Sequence, residues 1–276
     1  MNTTWFITGT SSGFGRLLTE KLLARGDRVA ATLRQPGALD DLKATHGDRL
    51  WTTTMDLTDT ASIRRSVDAA FAALGRIDVV VNNAGYGLFG TAEEVTDDQI
   101  RHLLETNLIG SIQVIRAAIP KLRDQGGGRI VQVSSEGGQI AYPNFSLYHA
   151  SKWGIEGFVE SVLQEVKSFG IEFLIVEPGP SKTDFGKGLV RPEPMAIYDD
   201  TPAGELRRGI DSGAFTLRGN PAKMVDSMIV TIDATVMPRR LTLGGDAYAH
   251  VDAGLSARLD ELRAQRDVAY AADDDA

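Results

Sequence analysis

The sequence predicts an α/β protein, a doubly wound parallel sheet of seven strands with helices on both faces. Three observations carry that expectation. Short apolar runs alternate with longer stretches of helical spacing, and parallel strands need long crossovers of that kind. The runs are almost continuously apolar, as in a sheet covered on both sides. A glycine-rich turn from Thr8 to Gly15 separates the first run from the first helical stretch. In this architecture ligands sit beyond the carboxyl ends of the strands.

Trp5-Phe6-Ile7 reads as the first strand, and Arg16 to Ala24 as a helix with Leu17, Leu18, Leu22 and Leu23 apolar. Val29 to Leu33 is the second strand, Asp40 to Thr45 a short helix, and Leu50 to Met55 the third strand. Thr60 to Leu74 is helical, with Thr58 or Asp59 able to cap it. Val79-Val80-Val81 breaks at Asn82-Asn83-Ala84-Gly85. Two helices follow over 96–107 and 109–124, and Gly126-Gly127-Gly128 ends the second. Ile130 to Val133 is a strand, 147–169 a long helix, and Ile171 to Val176 a strand stopped by Pro178-Gly179-Pro180. Arg240 to Leu243 is the last strand. Residues 181–220 are rich in Gly, Pro and charge, with one short helix near 203–210. So long a loop reads as a lid over a site. Residues 221–236 are helical, an amphipathic helix runs over 251–268, and the tail Ala271 to Ala276 is expected to fray.

Composition narrows the function. The 276 residues hold 29 Lys and Arg against 37 Asp and Glu, a net charge of −8. Nucleic acid, whose phosphates demand clustered cations, is an unsuitable partner. No 18-residue apolar run appears, so no membrane span is expected. The absence of cysteine rules out disulfides and thiolate chemistry. His46, His102, His149 and His250 are scattered, so no metal site is expected. The start carries no basic segment followed by an apolar one, and the expected setting is the cytoplasm. One domain over 1–276 suffices for this length.

The turn Thr8-Gly9-Thr10-Ser11-Ser12-Gly13-Phe14-Gly15 is a phosphate cradle in chemical terms. Glycine lets the backbone approach a pyrophosphate, and the following helix start offers free N–H groups. No Lys-Ser or Lys-Thr follows, which argues against a phosphate-loop ATPase. A binder of NAD(H) usually ends its second strand on a carboxylate. Here Thr32-Leu33-Arg34 has none. Arg34 could instead pair with a 2′-phosphate, aided by Ser12, which favours NADP(H) over NAD(H). The alternative is that Arg34 is only a solvated loop cation. Asp56-Leu57 ends the third strand. Asp56 could accept from an adenine amino group or simply cap a turn.

Tyr148-His149-Ala150-Ser151-Lys152 opens the long helix. Tyr148 and Lys152, four apart, share a face. A nearby ammonium favours phenolate, so the Tyr148 pKa should fall from its usual ~10, suiting it to acid–base work. Alone, this spacing fits any exposed helix. Ser135, at the sheet's carboxyl edge, can donate to a carbonyl oxygen or merely cap a loop. Asn107 sits where one helix gives way to the next. Asparagine is a poor helix former, so a specific hydrogen bond or a bound water is expected there.

Together, Thr-Gly-x-x-x-Gly-x-Gly (8–15), Asn-Asn-Ala-Gly (82–85), Ser135 thirteen residues before Tyr148, Tyr-x-x-x-Lys and Pro178-Gly179 resemble the short-chain dehydrogenase/reductase family. The resemblance runs from residue 3 to about 185 and implies a Rossmann-type fold. It implies Tyr148 as proton donor and acceptor, Lys152 as holder of the nicotinamide ribose, and Ser135 as carbonyl-orienting group. Asn107 would hold a relay water. Gly9, Gly13 and Gly15, with Ser11, Ser12 and Phe14 between them, would line the pyrophosphate. Asn83, Ala84 and Gly85 would line the adenosine side, and Thr183 after Pro178-Gly179 would bond the carboxamide. Ala31 to Arg34, Glu136-Gly137-Gly138 and Gly179 to Phe185 look like the hydroxysteroid and retinol dehydrogenase-like members. That implies an apolar alcohol or ketone as substrate.

The expected substrate wall includes Phe89, Gln139, Tyr142, Phe145, Phe185 and Leu189, with Glu136 able to bind a polar group. Trp153 is expected in a buried helix contact. The family further implies a homodimer or homotetramer paired through 109–124 and 151–169. Ile155, Phe158, Val159, Val162, Leu163 and Val166 exceed one core stripe, although a buried sheet face could absorb them. Competing readings are a silent nucleotide-binding regulator, an NAD-dependent alcohol dehydrogenase, a sugar-nucleotide epimerase or dehydratase, and a methyltransferase. The last would leave Ser135, Tyr148 and Lys152 without a role.

Overall fold

A computed structural model describes residues 3–183, 185–214 and 216–273. Side chains of successive strand residues alternate between faces, and the core divides accordingly. Trp5 and Ile7 of β1 (Thr4–Thr8) point to one side and Phe6 to the other. The strands are β1, β2 (Arg28–Leu33), β3 (Leu50–Thr54), β4 (Val79–Asn82), β5 (Gly128–Val133), β6 (Ile171–Pro178) and β7 (Arg240–Leu243). They form one parallel sheet in the order β3-β2-β1-β4-β5-β6-β7. The α/β doubly wound, seven-stranded expectation is met.

On the Trp5 side, α1 (Gly13–Ala24) contributes Leu18, Leu22 and Leu23. Beyond α2 (Asp40–His46) and α3 (Thr60–Leu74), the Phe6 side is closed by α3, α5 (Gly110–Asp124) and α6 (Ser146–Val166). Ile155, Val159, Val162 and Val166 of α6 lie in this core, and Phe158 and Leu163 are partly buried against it. The sheet therefore absorbs most of the apolar excess on that helix. Asp59 caps α3 by accepting from Ala61 N at 2.8 Å.

Two elements differ from expectation, the junction at 105–109 and the start of the last long helix, while the short helix near 203–210 and the helix from 221 are present. The helices foreseen over 96–107 and 109–124 run on without a break. The helix α4 (Asp97–Leu104) passes through a π-helical segment, Glu105–Ile109, into α5. The segment 181–220 holds α7 (Pro202–Asp211), whose Thr201 cap accepts from Ala203 N. The buried Glu94 carboxylate anchors it, accepting from Arg207 Nη2 at 2.6 Å and from Met195 N at 2.8 Å. The helix α8 (Pro221–Asp233) packs Met224, Val225, Met228 and Ile232 into the Trp5-side core. The last long helix, α9 (Gly245–Ala264), starts six residues before the expected position, and α10 (Arg266–Tyr270) follows it. Only Ala247 and Val251 of α9 are buried, while Leu255, Leu259 and Leu262 are exposed. Asp184 and Phe215 of the expected lid, and Asp274 to Ala276 of the tail, lie outside the described residues.

No described helix is long and apolar enough to cross a membrane. Among the described residues no acidic and histidine side chains group to hold a metal.

Candidate active site

The strand order reverses between β1 and β4, and such a reversal opens a crevice at the carboxyl edge. The glycine turn leaves β1 at that point. Gly9 has φ +69°, and a Cβ there would stand 2.8 Å from the Ala84 main chain. A Cβ on Gly15 would stand 2.3 Å from Gly9 O. Only glycine lets the turn fold back this tightly. The turn is also tied to β4 from outside. Asn83 Nδ2 donates to Thr8 O at 2.9 Å and Gly9 O at 3.1 Å. Thr8 Oγ1 accepts from Asn83 N and Ala84 N, both at 2.9 Å. The Asn83 side chain therefore shapes the turn from behind. Thr8 does the same work, and only its place at the strand end hinted at it.

A cavity of about 370 Å³ lies between Ser11, Ser12 and Gly13 on one side and Lys182 and Thr183 on the other. Ser12 precedes α1 without using its side chain as a cap. Phe14 packs into the core beneath. Arg34 is exposed at the end of β2 and makes no hydrogen bond or ion pair among the described residues. Its charge helps hold the Asp56 carboxyl below its usual range, behind the larger effect of hydrogen bonds from Thr58. Asp56 Oδ1 accepts from Thr58 N and Oγ1, both at 2.8 Å, so the turn role holds for that oxygen. The Leu57 side chain is buried. Pro178 ends β6, and a Cβ on Gly179 would meet Ala247 at 2.6 Å. Thr183 Oγ1 accepts from Phe185 N at 3.4 Å.

Ser135, Tyr148, Lys152 and Asn107 come together from three elements. Ser135 caps a short 3-10 turn, accepting from Gly137 N at 3.1 Å. Tyr148 is 8% exposed, Lys152 6% and Asn107 1%. A Cβ on Gly85 would stand 3.2 Å from Asn107 Oδ1 and 3.9 Å from Lys152 Nζ. The loop after β4 thus passes close to both. Lys152 Nζ donates to Val133 O at 3.1 Å and lies 5.6 Å from the Tyr148 ring centroid.

The charge states differ from the expectation drawn from the four-residue spacing. Burial pushes the Tyr148 phenol up to about 12, with the Ser135 hydroxyl opposing and Glu136 adding to the rise. Burial also pushes Lys152 down to about 8. Losing water penalises both charged forms, and this outweighs the mutual attraction that the spacing suggested. At neutral pH the pair is therefore a protonated phenol beside an ammonium.

Of the expected substrate residues, two meet Tyr148. Its ring lies 6.0 Å from Phe145 and 5.6 Å from Phe185. Phe89 is buried at 5.0 Å from Phe145. A Cβ on Gly87 would strike Leu189 and Phe185, so that residue lets their segment approach the loop after β4. Glu136 and Tyr142 turn towards α9. Tyr142 Oη and Glu136 Oε2 lie 2.9 and 3.3 Å from His250 Nδ1. Sequence reasoning missed His250, which is remote in the chain. Gln139 faces Glu156 and Glu177 instead of the pocket. Trp153 is exposed beneath the Arg258 guanidinium rather than buried.

Comparison with known proteins agrees with this geometry. Residues 3–194 match the short chain dehydrogenase family. An oxidoreductase of Botryotinia fuckeliana, BOA17, is 36% identical over 261 residues, covering 94% of each chain. Retinol dehydrogenase 16 of Rattus norvegicus is 36% identical over 206 residues, 73% of this chain and 64% of that one. The crystal structure of a short-chain dehydrogenase from Streptomyces avermitilis superposes with a TM-score of 0.92 at 37% identity, covering 99% of this chain and all of that one. On the match across residues 3–194 and these likenesses, the chain belongs to the short-chain dehydrogenase family and is an oxidoreductase acting on CH–OH and C=O groups.

Proposed function

We propose that the protein interconverts a secondary alcohol and a ketone, or a primary alcohol and an aldehyde, using NADP(H) in preference to NAD(H). The observation that carries this is a buried Tyr148 set between the Ser135 hydroxyl and the Lys152 ammonium. The fit to the cofactor rests on the tight turn at Gly9 and Gly15 and on the cavity it shares with Lys182 and Thr183. When bound, the nicotinamide supplies or accepts the hydride. Gly9, Gly13 and Gly15 would hold the pyrophosphate, with Ser11, Ser12 and the start of α1. Asp56, Leu57 and Ala84 would border the adenosine, and Pro178, Gly179 and Thr183 the carboxamide side. Arg34 supports the choice of NADP(H), since it makes no ion pair among the described residues and stands at a strand end that lacks a carboxylate.

In reduction, Tyr148 Oη gives its proton to the carbonyl oxygen, and the Ser135 hydroxyl donates to the same atom. In oxidation Tyr148 accepts the alcohol proton. Lys152 supplies positive charge against the forming phenolate and holds the ribose hydroxyls. Asn107 fixes the floor of the site, because its amide is committed to Tyr86. Phe145, Phe185 and Leu189 support an apolar or ring-bearing substrate, and the likeness to a retinol dehydrogenase points the same way. We further propose a single cytoplasmic domain working as a homodimer or homotetramer paired through α5 and α6, where Phe158 and Leu163 remain partly exposed.

The test is initial rates with NADPH and NADH against aliphatic, aromatic and steroidal ketones and aldehydes, with Tyr148→Phe as control. NADPH-dependent turnover that the control abolishes supports the reading. Tight NADPH binding without turnover on any carbonyl would overturn it in favour of a nucleotide-binding regulator. Sedimentation showing only monomer at micromolar concentration would remove the oligomer.

A further inference from the structure

Behind Ser135 and Lys152 lies a buried charged cluster that the reaction above leaves unused. Glu156, 3% exposed, follows Lys152 by one turn on α6, so the two side chains share a face. Glu177 of β6 is 1% exposed. Arg240 of β7 donates Nη1 to both carboxylates, and Nε and Nη2 to Glu160 at 3.2 and 2.9 Å. Gln139 Nε2 donates to Glu156 Oε2 at 3.1 Å and Glu177 Oε1 at 3.0 Å. Thr242 Oγ1 donates to Glu177 Oε2 at 2.9 Å, and the Ser134 hydroxyl donates to Glu156 Oε1. A Cβ on Gly138 would stand 1.8 Å from Glu156 Oε1. Glu156 is thus clasped from both ends of the segment that carries Ser135.

A neutral side chain could fill this space and tie the same elements. Two buried carboxylates need a reason, because desolvating each costs several kcal/mol. Among the described residues, Arg240 is the only cation that pairs directly with Glu156 and Glu177, and Glu160 draws on it from the rim. The charge of the buried groups balances only when the Lys152 ammonium is included. The groups facing Glu156 are Lys152 and Glu160 on α6, Glu177 on β6 and Arg240 on β7, with neutral Ser134 and Gln139 between them.

We propose that Glu156 is a positioning residue for the reaction, keeping Lys152 an ammonium and pinning the Ser134–Gln139 segment so that Ser135 faces Tyr148. This rests on the dehydrogenase reading of the site. The attraction of the Glu156 carboxylate acts against the burial that lowers the Lys152 pKa. The carboxylate itself is pushed up by burial and by Glu177, with Arg240 and Ser134 opposing.

The experiment is a lysine ε-carbon NMR titration of the cofactor-free protein, its wild type set beside Glu156→Gln and Glu156→Asp, with Lys152→Met for assignment. In Glu156→Gln the Lys152 resonance should titrate about one pH unit lower. The alkaline limb of kcat/KM for carbonyl reduction should move down with it. Glu156→Asp keeps the charge but shortens the reach to Ser134. Its Lys152 should titrate as in the wild type while kcat falls about tenfold, close to the loss of one charged hydrogen bond. A folded Glu156→Gln protein with unmoved Lys152 titration overturns the proposal. If that variant does not fold, Glu156→Asp decides alone: a displaced Lys152 or a wild-type kcat overturns it. A wild type inactive on every carbonyl would instead sink the dehydrogenase reading, and the NMR arm would still report whether Glu156 holds the Lys152 charge.

Discussion

Asn107 and Tyr86 exchange two hydrogen bonds: Asn107 Nδ2 donates to Tyr86 O at 2.7 Å, and Tyr86 N donates to Asn107 Oδ1 at 3.0 Å. The side-chain amide stands in for a neighbouring strand. It locks the loop after β4 to the π-helical segment, which widens the helix at that position. Gly85, next in the chain, is thereby held close to Lys152. Replacing Asn107 by Leu would leave a backbone donor and acceptor unpaired. That should cost about 1–3 kcal/mol each, read as a lower melting temperature by calorimetry. A Leu variant as stable as the wild type would refute the role.

Tyr148→Phe removes one oxygen from a buried, closely packed ring and should leave the fold intact. General acid catalysis contributes about 100- to 10,000-fold. Carbonyl reduction should slow by that much while NADPH affinity, followed by fluorescence titration, stays within a few-fold.

The pH profile follows from burial. Tyr148 holds its proton up to about 12, so it does not limit reduction near neutrality. Lys152, lowered to about 8, is charged below that pH and neutral above it. Reduction should therefore be level below about 8 and fall above it. Alcohol oxidation, which needs phenolate, should rise with pH. In Lys152→Met the limb near 8 should vanish; its persistence would assign it to another group.

Among the described residues Arg34 makes no hydrogen bond or ion pair that a phosphate would have to displace. Arg34→Ala should raise KM for NADPH roughly tenfold or more, the scale of a charge-assisted hydrogen bond. KM for NADH should hardly change. Equal effects on both would show that Arg34 does not read the 2′-phosphate.

His149 is buried beside Gly137 and Tyr142, and burial lowers its pKa to about 4. The unfolded chain takes up the proton first, near ~6.5. Its contribution is complete above that value and is lost as pH falls towards 4. Urea midpoints should decline between about 6.5 and 4, and His149→Gln should flatten that slope. An unchanged slope would place the acid sensitivity elsewhere.

The strands and most helices were legible because their signals are local. An apolar run such as Val79-Val80-Val81 needs only its own residues to read as a covered strand. Ser135, Tyr148 and Lys152 were legible through order and spacing, and the structure places them together. The segment 105–109 misled because a π-helical turn looks like a helix boundary when seen only as an asparagine out of place. The contacts of Glu136 and Tyr142 were hidden for another reason: their partner, His250, is more than a hundred residues away.

The sequence by itself determined the layer architecture and located the glycine-rich turn and the candidate site residues, since periodicity, glycine placement and residue spacing are properties of short stretches. Tertiary structure alone decided the protonation states and the company each side chain keeps. Tyr148 is raised and Lys152 lowered because water is excluded by atoms from distant elements, a condition that the four-residue spacing does not record. Glu156 meets Arg240 across 84 residues of chain for the same reason: folding, and not sequence proximity, brings charges together.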